Sequence, residues 1–268
     1  MIRDITLGQY FPGESPIHKL DPRTKVMLTL LYVVSLFVVR RGWGYLVSIF
    51  MMILIVCLSR IPFSVVLRGV KPILFVLLFT AAFNLIYGRG TPIFADIGWL
   101  SWLTWNGLRN AVFMAVRIML LVIGTSFMTY TTSPIMLTGA MEWLLAPLKW
   151  VKVPVHELSM MMTIALRFIP TLVDETDKII NAQKARGADF ETGNIFRRAK
   201  ALVPILIPLI ISAFRRAEEL ADAMECRCYH GGNDRTKYKV FRFAPRDAAA
   251  WLVMTVQLAL IILINVVA

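Results

Sequence analysis

Cysteine is scarce: Cys57, Cys226 and Cys228 are the only three among 268 residues. Their number and spacing exclude an even disulfide framework and point to reduced thiols. Histidine also occurs three times. His156-Glu157 opens like a metalloprotease helix, but no second histidine follows at the needed spacing. Cys226-x-Cys228 beside His230 lacks the four ligands and wider spacing of a zinc site, so no metal is expected. There is no glycine-rich phosphate loop with its lysine, and Ser, His and acidic residues do not cluster in the apolar runs. That leaves no catalytic centre and no ATP site in this chain. Acidic residues number 17 against 29 Lys and Arg, for a formal charge of +12. No groove-reading motif accompanies the charge, so it reads as a topogenic signal and not as a nucleic-acid surface. The first 25 residues are polar and turn-rich. They lack the basic head and apolar run of a cleaved signal peptide, and the amino terminus is expected to stay in the cytosol.

Apolar side chains are what the sequence has in quantity, 57% of residues, with a mean hydropathy of +0.66. This composition predicts an all-α polytopic membrane protein of about five transmembrane helices. Candidate spans are Val26 to Val39, Trp43 to Leu58, Val70 to Tyr87, Ala111 to Tyr130 and Ala248 to Val267. A bilayer core of about 30 Å asks for roughly 20 residues, so the first two are short and must snorkel Lys25, Arg40 and Arg41. With the amino terminus inside, all Lys and Arg except Arg40, Arg41, Arg89, Arg109 and Arg117 fall on the cytosolic side, which fits a multi-pass protein of the cell membrane. Arg117 falls inside the fourth span, where an inward helix-helix hydrogen bond would satisfy it.

Met160 to Pro170 and Ala201 to Phe214 are also apolar. Taken as spans they would put Lys178, Lys184, Arg186 and Lys200 outside, against the positive-inside bias. They read as short buried or interfacial helices, the second interrupted by Pro204 and Pro208. The expected organisation is a cytoplasmic segment 1–25, four transmembrane helices in 26–130, a cytoplasmic-side coupling-helix domain 131–246 and a last transmembrane helix 247–268.

The cytoplasmic domain carries the informative pattern. From Leu172, Val173, Thr176, Ile179, Ile180 and Gln183 share one face, with Asp174, Glu175, Asp177, Lys178, Asn181 and Lys184 opposite, up to Gly187. A second amphipathic helix runs from Phe214 through Ala217, Leu220, Ala221 and Met224, with Arg215, Arg216, Glu218, Glu219, Asp222 and Glu225 opposite. Superposing Arg186 on Arg227 also aligns Asp177 with Glu218, Ile179 with Leu220 and Ala182 with Ala223. Each helix closes on an arginine between small residues, Ala185-Arg186-Gly187 and Cys226-Arg227-Cys228. One arginine alone reads as a C-terminal charge complementing the helix dipole. Two such tips in one compartment suit helix ends that enter grooves, each Arg fork binding carboxylates or carbonyls.

These blocks, with Tyr10-Phe11-Pro12-Gly13-Glu14-Ser15-Pro16, Leu20-Asp21-Pro22-Arg23-Thr24-Lys25 and Ala165-Leu166-Arg167-Phe168-Ile169-Pro170 in order, resemble the transmembrane scaffold, or T component, of energy-coupling factor transporters, a branch of ATP-binding cassette importers. The resemblance covers nearly the whole chain. It implies a scaffold with no cofactor of its own. Two cytosolic ATPases, read as a heterodimer, would bind ATP and Mg and dock on Arg186 and Arg227. A separate substrate-binding membrane subunit would deliver a vitamin. Cys226 and Cys228 stand where the second motif usually has Ala and Gly or Ser, and cysteine is small enough to fit. Ser133 to Leu148 and other apolar helices are expected to form the bed for the substrate subunit. Met160, Met161, Met162, Pro204 and Pro208 are candidate contacts with it, the methionines reading equally as ordinary core. A dedicated cobalt or nickel importer is the alternative within the class. An autonomous carrier or an intramembrane enzyme is the alternative outside it.

Overall fold

The computed structural model describes residues 10–87, 104–188, 190, 195–231 and 241–267, and every described element is helical. In chain order they are α1 (Pro22–Val38), α2 (Gly42–Ser59), α3 (Phe63–Val70), a 3₁₀ turn (Lys71–Ile73), α4 (Leu74–Tyr87), α5 (Trp105–Thr131), α6 (Pro134–Leu144), a second 3₁₀ stretch (Ala146–Val151), α7 (Val155–Ala185), α8 (Ile195–Glu225) and α9 (Pro245–Val267). Arg89, Asp189 and Gly232, which the sequence reading places in loops or motif ends, lie outside the described residues. The described residues form two compact units, a first of 10–140 with 241–267 and a second of 141–231.

In the first unit, four helical runs are long and apolar enough to cross a membrane: Gly42–Ser59, Phe63–Ile86, Trp105–Thr131 and Pro245–Val267. α1 has 17 residues. At 1.5 Å per residue it reaches about 25 Å, short of the bilayer core, as expected from its apolar run. The third span departs from its sequence bounds. Residues 59–71 read as a cytosolic loop, yet α3 occupies most of them and continues through the 3₁₀ turn into α4. Pro72 lacks an N–H, so the ladder tightens at that point and resumes beyond it.

α1 and α9 run parallel, tied at both ends. Pro22 occupies the first position of α1, and the Asp21 carboxylate accepts the Arg23 N–H at 2.9 Å, capping the helix. Asp21 in turn donates its own N–H to Asp247 Oδ1 at 2.9 Å, while Ala244 N–H donates to Oδ2 at 2.8 Å. At the far end Asn265 Nδ2 donates to the Val38 carbonyl at 2.8 Å. Lys25 is buried and donates to the carbonyls of His18 and Thr131 at 3.1 and 2.8 Å. The Leu20-Asp21-Pro22-Arg23-Thr24-Lys25 block is therefore a structural clasp within this unit.

Close approach of α1 and α5 depends on Gly124: a Cβ there would lie 2.4 Å from the Tyr32 ring. Small residues at crossings are how apolar helices gain packing where lipid removes the hydrophobic drive. Around that crossing Leu36, Met52, Leu120, Phe127 and Met254 complete the core. Arg117 turns inward as the sequence predicts, donating Nη2 to the Val39 carbonyl at 3.0 Å with its guanidinium 5.7 Å from the Tyr45 ring.

Candidate docking tips

The second unit is dominated by α7 and α8, 31 residues each. This corrects the expected short interfacial helices. Met160 to Pro170 and the amphipathic stretch after it are one helix, continuous through Pro170, and α8 runs unbroken through Pro204 and Pro208. Proline at 208 removes the N–H that would serve the Pro204 carbonyl one turn back. Gln183 Nε2 on α7 reaches that carbonyl at 3.5 Å.

A stronger link sits further along. The Glu175 carboxylate accepts the Ser212 hydroxyl and, at 2.8 Å, Arg216 Nη2. These hydrogen bonds, the Ser212 one foremost, hold Glu175 below the usual carboxylate range. The sequence reading put Glu175 and Arg216 on solvent faces. Both instead sit half-buried in the α7–α8 contact, because two complementary charges can share a helix contact that periodicity alone assigns to apolar residues.

Gln183 opposite Pro204, and Glu175 opposite Ser212, set an antiparallel register. Arg186 then lies level with the start of α8, and Arg227 lies roughly 26 residues, or about 39 Å, further along the α8 axis. The two tips share a geometry without being brought together. At the end of α7, Gly187 N–H donates to the Lys184 carbonyl and Ala188 N–H to the Gln183 carbonyl, both at 3.0 Å. Beyond α8, Cys228 N–H donates to the Glu225 carbonyl at 2.8 Å and Tyr229 N–H to the Met224 carbonyl at 3.0 Å. Each is a Schellman closure with the arginine at the cap position and the next residue left-handed. Gly187 has φ 85° and Cys228 φ 55°. Glycine takes that conformation freely, whereas a side chain there costs about 1 kcal/mol.

Ala185, Arg186, Gly187, Cys226, Arg227 and Cys228 are all exposed. Neither guanidinium meets an acceptor among the described residues. Of the other candidates, Met160 is half-buried, while Met161, Met162, Pro204 and Pro208 are exposed. On α8, Leu202, Leu206, Ile210, Val203, Ile207 and Phe214 are each close to half exposed or more, an apolar stripe left open. His156 pairs with Glu142 at 3.2 Å, and no cluster of metal-ligating side chains occurs among the described residues.

The fold defines an all-α polytopic membrane protein carrying a pair of long helices with matching arginine tips. Residues 13–238 match the family described as CbiQ, cobalt transport protein. The chain is 53% identical over 267 residues to the energy-coupling factor transporter transmembrane protein EcfT of Ruminiclostridium cellulolyticum, covering 100% of this chain and 99% of that one. It is 51% identical to the EcfT of Clostridium kluyveri, covering 98% and 97%, and 44% identical to that of Bacillus subtilis, covering 97% and 98%. The chain belongs to this family, the T components of energy-coupling factor transporters.

Sequence reasoning missed Asp247, which ties α9 to α1, and Glu175, which ties α7 to α8. Asp247 stands at the mouth of an apolar run, where no motif marks it. Its two N–H partners lie three and 226 residues away, and the second distance has no local signal.

Proposed function

We propose that this T component is a non-catalytic scaffold that couples ATP binding and hydrolysis by two cytosolic ATPases to movement of a separate substrate-binding membrane subunit. The observation that carries the reading is the pair of identically closed arginine tips at opposite ends of the α7–α8 pair. One groove cannot take both ends of a helix pair, so two tips call for two receptors. Each exposed guanidinium offers a planar fork of donors to a carboxylate or a row of carbonyls. ATP and Mg belong to those receptors. The two tips differ, Gly187 against Cys228, which suits two non-identical ATPases.

The exposed stripe of α8 is a surface offered to the substrate subunit, with Met161, Met162 and Ser133 to Leu148 as further contacts. Flexible methionine side chains adapt to several partners. In this reading the coupling-helix domain 131–246 and the amino terminus face the cytoplasm of a cell-membrane protein, because most Lys and Arg gather there. A vitamin is the cargo, selected by the separate subunit. The cobalt description printed for the matching family favours a metal-ion importer as the second reading.

Charge reversal tests the assignment. Arg186→Glu and Arg227→Glu should each cost one ATPase in a mild-detergent co-purification, and the double variant should lose both and stop uptake, with membrane insertion intact. A double variant that keeps both ATPases and transports normally overturns the proposal.

A further inference from the structure

A cavity of about 350 Å³ lies within the first unit, between α1, α2, α5 and α9. Its walls include Leu28, Ile55, Phe127 and Met128. The hydroxyls around it are engaged with the backbone. Thr29 donates to the Lys25 carbonyl at 2.8 Å, Thr131 to the Phe127 carbonyl at 2.8 Å, and Tyr32 to the Leu120 carbonyl at 3.5 Å. Lys25 spends its ammonium on two carbonyls. Such a wall offers nothing to a polar solute and full contact to a hydrocarbon.

Arg246 is different. It lines the same cavity, it is exposed, and its guanidinium meets no acceptor among the described residues. Asp247 beside it is committed to the N–H groups of Asp21 and Ala244. Along α9 the lining residues are Arg246, Ala249, Ala250, Val253 and Met254. That spacing of three and four makes one stripe of the helix, roughly 12 Å long, with a cation at its start and apolar atoms after it. Two alanines thin the helix along the stripe, which leaves room for a chain to lie against it. Arg246 stands in the first turn of a helix long and apolar enough to cross a membrane, and a basic side chain at the end of such a span meets lipid phosphate.

We propose that this cavity is a binding site for one anionic phospholipid, an acyl chain lying along Ala249, Ala250, Val253 and Met254 and the phosphate held by Arg246. The guanidinium fork binds phosphate oxygens in two parallel hydrogen bonds. The cavity needs one long apolar chain, and the charge at its mouth selects the head group. The site lies within the first unit, closed in part by Pro16, Ile17 and Leu20 ahead of α1, and does not depend on the docking tips.

The test is native mass spectrometry of the delipidated full chain offered equal amounts of phosphatidylglycerol and phosphatidylcholine. Phosphatidylglycerol should be retained over phosphatidylcholine by about fivefold, the weight of one basic residue at an anionic lipid surface. Arg246→Gln should erase the preference, Arg246→Lys should keep most of it, and Ala250→Phe should lower retention of both lipids by filling the stripe. Arg246 is an exposed side chain with no partner to lose, so its variants keep the test decisive even where Ala250→Phe fails to fold. Equal retention by the unaltered chain overturns the proposal, as does a preference that survives Arg246→Gln. An adduct with the mass of a free fatty acid in place of a phospholipid also overturns it.

Discussion

The bundle of α1 to α5 with α9 and the pair of α7 with α8 draw on the same apolar side chains and use them in opposite ways. In the bundle, three charged groups are turned inward and bonded, while Arg246 stays open at the mouth of the cavity. Lys25, Asp247 and Arg117 each find backbone partners within the unit. In the pair, Ser212 and Arg216 both donate to Glu175, while Arg186, Arg227 and the α8 stripe are left open. Both regions leave apolar surface open; what sets the pair apart is two guanidinium donors held out at helix tips, where a partner can take them.

The comparison breaks first at its glycines. Gly124→Leu drives a side chain into Tyr32, and the bundle should lose about 1 to 3 kcal/mol or fail to fold. A thermal melt in detergent reads this directly. Gly187→Ala meets nothing within 4 Å, so it should cost only the roughly 1 kcal/mol of its left-handed backbone, at the tip, and leave the melt of the bundle unchanged. Equal losses at both positions would mean the two regions do not differ in packing as described.

The next largest effect should run the other way. Gln257 is 3% exposed in α9, and neither polar atom of its amide finds a partner among the described residues. Replacement by leucine removes a buried unsatisfied group and should raise stability by about 1 to 3 kcal/mol. A lowered melting temperature for Gln257→Leu would show that the amide has a partner the bundle depends on.

Acid should loosen the pair before the bundle. Glu175 has its pKa lowered in the folded state. Its contribution is therefore present above the ordinary carboxylate value of 4.5 and is lost as pH falls below that value towards the folded one. Glu175→Gln should remove the dependence. The group is partly open to solvent, so the effect stays under about 1 kcal/mol. Hydrogen exchange along α7 and α8 between pH 6 and roughly 3 would follow it.

Smallest is Cys228→Gly, which relieves a left-handed side chain but frees the unfolded chain, so the second closure should firm by only about a few tenths of a kcal/mol. Slower exchange of the Cys228 and Tyr229 amides is the expected sign. Unchanged exchange would mean the two closures are equally relaxed.

Much of this was legible from local pattern. The spans at α2, α5 and α9, the inward Arg117, and the ends of both tip motifs at Gly187 and Cys228 follow from apolar run length, lone charge and helix-stop residues. The continuity of α7 and α8 was not. Pro170, Pro204 and Pro208 are helix breakers by propensity, and a reading by propensity ends a helix where the chain does not. The lost hydrogen bond at Pro208 is compensated by Gln183 on another helix, which no window along the sequence contains.

By itself, then, the sequence determined that this is a helical membrane protein, where its charge gathers, and which two arginines close amphipathic helices, because run length, periodicity and cap residues act over a few turns. Only the tertiary structure decided that the tips stand at opposite ends of one helix pair, that Glu175 faces inward, and that Arg246 heads an apolar cavity. Register and burial arise from contacts between residues far apart in the chain, and the free energy of those contacts is set by geometry that composition does not carry.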